Sequence, residues 1–439
     1  MAYSLTLQLF TGAQWQDAAV LTFEHPQKID TARCTVGYGS AYLAEHLDAL
    51  DTPFAPSVAV CNRLGWNSQH TVGFPAFVYD LLPSGAARRS LLKRFGDERP
   101  EGLALDLFLL ERCTPAPVGH LRVKESVAHL NESTTVAFPR AEVVARTNTF
   151  LEYAYEQGAA IGGATGAGGE APKLLLAEDA AGELHADATL TDEKVSRHWL
   201  VKFARNQASE RDRDILRTEY QYYRAIGQLG LHTIAADGLA LEEEEKPSLW
   251  MPRFDRRVVN GQVERIAVES IYSICNNVQP GSHMSHENVV ARLVELWIKS
   301  GQKAEVEELV FEYVRRDLLN RLLGNSDNHG RNTSILRHTD RLALAPIYDL
   351  APMVLDPEGI TRVTKWQDER LGEPQWRAVC DALARFAPAD TTYDRLREAA
   401  RSFLALPDLL LDLPPAIRQA NNRLPVLQAE ASLKAWGLL

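Results

Sequence analysis

The 439-residue sequence has only five cysteines, and no two of them form a C-x-x-C pair. They lie far apart along the chain, at Cys34, Cys61, Cys113, Cys275 and Cys380. This spacing argues against a structural zinc site and against a framework of disulfide bonds. We therefore expect the protein to work in a reducing cytoplasm.

Long apolar runs are also absent from the sequence. No stretch approaches the roughly 18 consecutive apolar residues of a membrane span, so we expect no association with membranes. Residues 1–17 lack a basic segment followed by an apolar segment and a cleavage site. This start therefore predicts a first strand and not a signal peptide.

Positive charge is in the minority, because 47 Lys and Arg residues stand against 58 Asp and Glu residues, a formal net charge of −11. Such a chain gains little from the release of counterions, so we expect no autonomous binding to nucleic acid. A local basic cluster, which we interpret as the solvated face of a helix, consists of Arg88, Arg89, Lys93 and Arg94.

The pattern of apolar residues predicts three regions. Residues 1–139 alternate short β-like runs with helical stretches, which indicates an accessory α+β subdomain. Residues 140–257 open with a predicted helix over 140–157 and continue with strand-like runs around a glycine-rich segment, as expected of a β-rich lobe that covers a nucleotide. Residues 258–439 are mainly helical and include a strongly apolar predicted helix over 306–323. We therefore predict an α+β fold with a β-rich N-lobe, a helical C-lobe and an N-terminal subdomain.

Polar residues are most concentrated in the segment Gly324–Thr333, which directly follows that apolar helix. Asp327 and Asn332 are five positions apart, and a later apolar run ends in Asp349. Phosphoryl transfer requires a carboxylate that orients the attacking hydroxyl and takes its proton, a role that fits Asp327. It also requires oxygen ligands that hold Mg²⁺ on the phosphates, a role that fits Asn332 and Asp349.

Two further side chains of this segment are candidates for catalysis. Arg331 could neutralise charge on the transferred phosphoryl group, and His329 stands two positions after Asp327. The same composition also fits a simple polar turn, since Asn and Asp are common in turns for backbone reasons. The segment alone leaves both interpretations open.

Features upstream favour phosphoryl transfer. Lys202 lies in the short apolar run His198–Phe203, where a lysine is costly to bury unless it meets an anion. Glu219, on the next predicted helix, could pair with Lys202 as the corresponding lysine and glutamate do in protein kinases. A lysine on an edge strand beside a surface glutamate is the alternative.

A glycine-rich segment, Gly162–Lys173, precedes the lysine strand and can wrap an anion with successive backbone N–H groups. Taken alone it fits a flexible linker as well, because it matches no established glycine-loop pattern cleanly. The order along the chain is more specific: glycine loop, strand lysine, helix glutamate, strand, D-x-x-x-x-N and a returning aspartate. This order favours a protein-kinase-like fold.

With these residues in place, the chain resembles the HipA family of serine/threonine kinases, the toxins of bacterial type II toxin–antitoxin systems. The similarity extends over nearly the whole chain. The motifs that carry it are Phe77–Pro83, Pro117–His120, Gly168–Lys173, Val201–Phe203, Glu219–Tyr220, Arg253–Arg256, Asn325–Asn332 and Pro346–Leu350. The segments Asn325–Asn332 and Pro346–Leu350 are the most specific of these.

The resemblance implies an ATP- and Mg²⁺-dependent kinase in which Asp327 is the catalytic aspartate and Asn332 and Asp349 bind the metal. Lys202 would contact the ATP phosphates, and the backbone around Pro252–Phe254 would cradle adenine. The full set of residues implied to bind ATP is Gly166, Gly168, Gly169, Lys173, Lys202, Glu219, Pro252 and Phe254.

Members of the family phosphorylate hydroxyl side chains of proteins such as aminoacyl-tRNA synthetases, and many are restrained by a small DNA-binding antitoxin. The resemblance implies such a substrate and such a partner here. Many members also autophosphorylate a serine in the glycine loop. In this sequence Gly166 stands at that position, so the neighbouring Thr165 is the candidate acceptor.

Two other functions remain possible from the sequence. The pattern Asp327-x-His-x-x-Asn332 also resembles small-molecule phosphotransferases of the aminoglycoside and choline kinase type. A pseudokinase that binds nucleotide and acts as a partner of a DNA-bound repressor is the second alternative. Such a scaffold has no need of Lys202, Asp327, Asn332 and Asp349 together, which argues against it.

Overall fold

The computed structural model of the protein describes residues 2–130, 136–146, 148–157, 159–161, 171–205, 208–244, 246–279, 281–420 and 422–439. The chain forms two compact units. Unit 1 comprises Met1–Phe203, Glu242–Pro280 and Ser334–Ala345, and unit 2 comprises Ala204–Leu241, Gly281–Thr333 and Pro346–Leu439. These units group the chain differently from the three predicted regions 1–139, 140–257 and 258–439, whose boundaries stay a prediction.

The N-terminal part of unit 1 is a five-stranded antiparallel sheet of order β4-β3-β2-β1-β5. Its strands are β1 (Tyr3–Thr11), β2 (Gln14–Phe23), β3 (Arg33–Tyr38), β4 (Gln69–Val72) and β5 (Leu121–Val123). On β1 the buried Leu5, Leu7 and Leu9 alternate with polar residues, which places them on one face of the sheet.

Helices from the same region contribute to the core that this leucine face joins. They are α1 (Ser40–Glu45), α2 (Val78–Leu81), α3 (Gly85–Phe95) and α4 (Leu105–Arg112), while the short helix α5 (Lys124–Val127) follows β5. The single core cluster formed by this sheet and helices α1 to α4 confirms the predicted N-terminal α+β subdomain.

A second sheet in unit 1 contains the predicted lysine strand. Its strands run in the order β11-β9-β7-β6, and β8 pairs with β7. They are β6 (Ala160–Ile161), β7 (Lys173–Asp179), β8 (Leu184–Ala186), β9 (Val195–Phe203) and β11 (Ser248–Pro252), while β10 (Ala240–Glu242) stands at the boundary of the units.

The helix predicted over 140–157 is wrong as a single element. It is two helices, α6 (Arg140–Ala145) and α7 (Asn148–Glu156). Arg146 takes a φ of 52°, a left-handed conformation that ends α6. The apolar periodicity continues across this break, which is why it is not visible in the sequence pattern.

The rest of unit 1 comes from later parts of the chain. The hairpin β12 (Arg256–Val259) and β13 (Gln262–Arg265) precedes a sheet of order β14-β16-β17. That sheet contains β14 (Ala267–Ser270), β16 (Ser334–Arg337) and β17 (Leu342–Leu344), and the short helix α9 (Ile271–Ile274) follows β14.

A buried ion pair lies within this last sheet, and both of its side chains also form hydrogen bonds with the N-terminal subdomain. Arg337 on β16 has Nε 3.0 Å from Oε2 of Glu269 on β14, and both side chains are only 2% exposed. Burial raises the pKa of Glu269, and the Arg337 guanidinium opposes that rise. The other N–H groups of Arg337 donate to oxygens of Phe54, Ser57 and Val58, and Glu269 accepts the backbone N–H of Val60.

Unit 2 is predominantly helical, as predicted for most of the C-terminal part. Its helices are α8 (Glu210–Gln228), α10 (His286–Lys299), α11 (Val306–Leu322), α12 (Trp376–Ala382), α13 (Ala389–Phe403), α14 (Leu406–Leu409), α15 (Pro415–Arg418) and α16 (Ala429–Ala435). Two small pairs of strands complete it, β15 (Met284–Ser285) with β18 (Thr364–Lys365) and β19 (Glu369–Arg370) with β20 (Glu373–Pro374). Within the described ranges, no helix combines the length and apolar character needed to cross a membrane.

Replacing Arg337 by glutamine should lower the free energy of unfolding by about 3–5 kcal/mol, because Glu269 would keep a buried charge without its partner. Chemical denaturation followed by tryptophan fluorescence measures this change. Arg341→Gln, at an exposed position four residues further on, is the control and should change stability by less than about 0.5 kcal/mol. Equal losses in the two variants would contradict a structural role for the pair.

Candidate functional site

The predicted catalytic segment begins where α11 ends. Gly324 takes a φ of 69°, and the N–H of Asn325 donates to the carbonyl of Asn320 at 2.8 Å. This is a Schellman ending, which requires a left-handed residue directly after the C-cap. A Cβ at Gly324 would lie 2.6 Å from a methyl of Leu424 and 2.9 Å from one of Val354. Only glycine fits this position, which confirms its prediction as the residue that ends the helix.

Asparagine side chains hold the backbone of the segment that follows. Asn325 donates from Nδ2 to Oδ1 of Asn320 at 3.0 Å and to the carbonyl of Asp349 at 3.4 Å. Its Oδ1 accepts the N–H of Asp327 at 3.3 Å. Nδ2 of Asn332 donates to the carbonyl oxygen of Asp327 at 2.6 Å, which closes the six-residue turn. The backbone of Asp327 is therefore held from both sides.

His329 faces the carboxylate of Asp327. The backbone N–H of Arg331 donates to Nδ1 of His329 at 3.2 Å, so in the neutral ring the proton is on Nε2. That Nε2 lies 3.5 Å from Oδ1 of Asp327. The Arg331 carbonyl in turn accepts the hydroxyl of Tyr348 at 2.5 Å. The structure thus brings Asp327, His329 and Arg331 together in one turn, with the His329 ring beside the Asp327 carboxylate.

Asn332 offers a ligand that suits Mg²⁺. Because Nδ2 is used inside the turn, Oδ1 is left as a buried oxygen with no hydrogen-bond partner among the described residues. An orphaned amide oxygen of this kind fits a hard cation, which binds oxygen ligands. No three His, Cys, Asp or Glu side chains within the described ranges form a metal cluster. Mg²⁺ does not need one, because water and phosphate supply most of its ligands.

Asp349 has an unusual backbone conformation at the end of the returning run. Its φ is 53°, a left-handed value that costs a residue other than glycine roughly 1 kcal/mol. The apolar run that ends in Asp349 is a strand only in part, since β17 ends at Leu344 and, among the described residues, one further bridge joins Ile347 to Thr233. The carbonyl contact with Asn325 places the Asp349 backbone beside the catalytic segment.

Glu219 lies on α8 and is only 1% exposed. It accepts the hydroxyl of Tyr223, one helical turn later, at 2.8 Å, and that hydroxyl accepts the N–H of Leu350 at 3.4 Å. Burial raises the pKa of Tyr223, and the carboxylates of Glu219 and Asp349 raise it further. Glu219 is thereby linked through Tyr223 to the residue after Asp349.

Lys202 and Lys173 are paired in register on adjacent antiparallel strands of unit 1. Both are nearly buried, at 7% and 9% exposure, and Leu249 of β11 flanks Lys202 on its other side. Lys202 is thus on a central strand and not on an edge, which excludes the edge-strand alternative. Glu219 belongs to unit 2, so its predicted pairing with Lys202 stays a prediction.

The predicted adenine segment Pro252–Phe254 is fixed by buried charges on both sides of Phe254. Arg253 donates to Asp255 at 2.6 and 2.9 Å and to Asp187 at 2.8 Å, and Arg256 lies 2.7 Å from Asp255. Burial would raise the pKa of Asp255, but Arg253 and Arg256 lower it to about 2. The half-buried Phe254 and Pro252 are therefore flanked by buried arginines and aspartates whose charges balance.

Several predictions in the glycine-rich segment fall outside the described residues. These are the ATP-binding positions Gly166, Gly168 and Gly169 and the candidate acceptor Thr165. The basic cluster on α3 is described, and two of its arginines form ion pairs, Arg88 with Asp106 and Arg94 with Glu156. This pairing agrees with its interpretation as a solvated helix face.

Sequence reasoning missed residues that support the site from other elements. Tyr348 carries no motif of its own, and Asn328 was part of the polar segment without a role. Tyr223 could have been found from its spacing, since residues four apart on a helix lie on the same face. Asp317 could have been suspected because it interrupts the apolar side of a helix that is otherwise buried.

The fold and the catalytic segment define a protein of the kinase-like α+β class. The family model of the HipA-like C-terminal domain matches residues 165–405, which is more than half of the chain. The chain therefore belongs to the HipA family. A curated relative, Toxin YjjJ of Escherichia coli strain K12, is 26% identical over 236 residues, which are 52% of this chain and 49% of that protein. The chain thus spans about half the length of the curated relative that it matches.

A solved structure shows the same fold. HipA of Shewanella oneidensis MR-1, determined as a toxin–antitoxin complex with HipB and operator DNA, matches with a TM-score of 0.64 and 18% identity. The match covers 98% of this chain and 96% of that chain, which confirms the predicted fold class. The Helicobacter pylori proinflammatory kinase CtkA matches at a TM-score of 0.33 and 14% identity, over 55% of this chain and 86% of that chain.

Acid should destabilise the protein through the charge cluster beneath Phe254. The folded pKa of Asp255, about 2, is below the ordinary value of 3.8, so its stabilisation is present above pH 3.8. It is lost as the pH falls from there towards 2, and amounts to about 2 kcal/mol for a shift of this size. Urea denaturation at pH 6 and pH 3 measures the loss. Asp255→Asn should show a flatter pH dependence, and an equal slope in both proteins would contradict the assignment.

Proposed function

We propose that this chain is an ATP- and Mg²⁺-dependent kinase that phosphorylates serine or threonine hydroxyls of another protein. The observation that carries the proposal is the turn from Asp327 to Asn332. The backbone of Asp327 is held by Asn325 and Asn332, its carboxylate lies 3.5 Å from His329 Nε2, and Oδ1 of Asn332 is buried with no hydrogen-bond partner among the described residues. Phosphoryl transfer needs these two groups, a positioned proton acceptor and an oxygen ligand for the metal.

In the proposed reaction the substrate hydroxyl oxygen forms a bond to the γ-phosphorus of ATP. The bond from that phosphorus to the bridging oxygen breaks, and ADP leaves with the electron pair. Asp327 orients the hydroxyl and accepts its proton, while His329 keeps the carboxylate in position. Asn332 and Asp349 would hold Mg²⁺, which would supply neutralisation of charge on the phosphate oxygens. Arg331 is proposed to stabilise charge on the transferred group.

The lysines of unit 1 are proposed to bind the nucleotide. Two nearly buried cations in register, Lys173 and Lys202, make a strong local positive charge that suits phosphate oxygens. The glycines Gly166, Gly168 and Gly169 are proposed to cover the phosphates through their N–H groups. The backbone of Pro252–Phe254 is proposed to bind adenine.

The proposed biological role follows the family. We propose a toxin whose target is a protein of translation, such as an aminoacyl-tRNA synthetase, and whose activity is restrained by a small DNA-binding antitoxin. The HipA complex with HipB and operator DNA supports this partner by likeness of fold. Thr165 is proposed as the site of autophosphorylation in the glycine-rich segment.

Asp327→Ala should lower turnover by roughly 10²–10⁴-fold, because the substrate hydroxyl loses its proton acceptor. The measurement is transfer of labelled γ-phosphate from ATP to proteins of a bacterial lysate. Asp340→Ala, an exposed aspartate in the β16–β17 turn, is the matched control and should leave the labelling unchanged. Unchanged phosphate transfer by the Asp327 variant would contradict the assignment of Asp327 as the proton acceptor. No labelled protein with the wild type, despite binding of ATP, would favour the small-molecule kinase or the pseudokinase.

Asp349→Asn should abolish the part of ATP binding that depends on Mg²⁺. Asparagine tolerates the left-handed backbone of this position, so the change removes the charge without adding strain. Calorimetric titration of ATP with Mg²⁺ and with EDTA separates the metal-dependent part. Retained metal-dependent binding would mean that the ligands are elsewhere.

A further inference from the structure

Asp317 is a buried carboxylate that the proposed reaction does not use. It lies on α11, ten residues before Asp327, and is only 2% exposed. Burial alone would raise its pKa, but Arg362 and the Trp366 indole N–H contribute to holding it below the ordinary value. A carboxylate kept charged in the interior needs a reason, since an apolar residue would fill the same space at lower cost.

One donor to Asp317 comes from the catalytic turn. Nδ2 of Asn328 donates to Oδ1 of Asp317 at 2.8 Å. Asn328 is the next residue after Asp327, so this side-chain bond anchors the chain directly beside that aspartate. It acts at a different point from the bonds that Asn325 and Asn332 make to the backbone of Asp327.

Two more donors come from the segment that follows the metal-binding Asp349. Arg362 donates to Asp317 at 3.0 and 3.3 Å, and the indole N–H of Trp366 donates at 2.7 Å. Glu369 accepts both Arg362 and the backbone N–H of Trp366 at 3.0 Å. The ring of His286 stacks on that of Trp366, with the ring centroids 4.6 Å apart. Its Nε2 lies 3.6 Å from Oδ1 of Asp317. The segment is thus anchored to the same carboxylate as the catalytic turn.

We propose that Asp317 is a positioning residue that couples the catalytic turn to the segment Arg362–Glu369. Through Asn328 it sets the direction of the Asp327 carboxylate, and through Arg362 and Trp366 it holds the chain that follows Asp349. In many protein kinases a phosphorylated residue orders the activation loop by pairing with arginine. Here Asp317, a permanent carboxylate, pairs with Arg362 and orders the segment Arg362–Glu369. This inference rests on the proposed kinase function only for its catalytic consequence.

The coupling is tested first without any activity measurement, by amide hydrogen exchange on the full chain. Asp317→Asn should make the amides of residues 325–333 and 362–369 exchange at least about tenfold faster, since both lose a common anchor. Asp356→Asn is the matched control, a buried aspartate paired with Arg205 at 2.8 Å in the same post-Asp349 chain. In this control the amides of 325–333 should keep the wild-type rate.

Equal exchange of the catalytic turn in wild type and Asp317→Asn would overturn the proposal, as would acceleration by the control. If Asp317→Asn does not fold, Asn328→Ala decides, because it removes only the link to the turn. It should accelerate exchange at 325–333 and leave 362–369 unchanged. Exchange at the wild-type rate in both segments would again overturn the coupling.

The catalytic consequence is tested by kinetics with Asn328→Ala. A misdirected Asp327 should lower kcat about 10–100-fold while KM for ATP changes less than about twofold. In an Asp327→Ala background the same change should have no further effect, because it acts only through that aspartate. A further, additive loss of kcat would overturn a positioning role. No phosphate transfer by the wild type would refute the kinase proposal, and the exchange result would still decide the coupling.

Discussion

Most of the turn from Gly324 to Asn332 is buried, so its polar groups have to find partners inside the protein in place of water. The turn is neither helix nor strand, so regular backbone bonds are not available to it. Asparagine side chains supply those bonds: Asn325 and Asn332 bind the backbone of Asp327, and Asn328 binds a neighbouring helix. The result is that the backbone of Asp327 is fixed by the protein itself, which is the preorganisation that the proposed catalytic role of this residue would require.

The parts of the site that are local in sequence were predictable. A glycine at the end of an apolar helix and a dense polar turn after it are signals within ten residues, and the structure has both. Tyr348 was not predictable as part of the site, and for Tyr223 and Asp317 the sequence offered only a helical spacing and a polar residue on an apolar helix side. Their roles depend on which residues the fold brings next to the turn, and a tyrosine hydroxyl or a helix aspartate gives no sign of its distant partner. Physical reasoning could only mark Asp317 as costly to bury.

The fold shows the same difference between local and distant information. The strand Val195–Phe203 and the helix Glu210–Gln228 follow from local composition, and the strand ends at Phe203, as the apolar run His198–Phe203 does. The make-up of the units does not, because β16 and β17 follow two of the three segments of unit 2 in the chain, and yet β16 pairs with β14 in unit 1 and β17 pairs with β16. Pairing over such a separation is set by the whole core, and no window of sequence contains it. The break at Arg146 likewise depends on one backbone angle.

The hydrogen bonds of Arg337 show what the chain would lose if it were shortened to the region that the family model matches. The matched residues begin at 165, but the oxygens that accept the guanidinium of Arg337 belong to Phe54, Ser57 and Val58. A protein shortened to the matched region would expose that guanidinium and the side of β16 that contacts these residues. The matched region is therefore not a self-contained folding unit. Fusions or truncations of this chain should keep the N-terminal sheet.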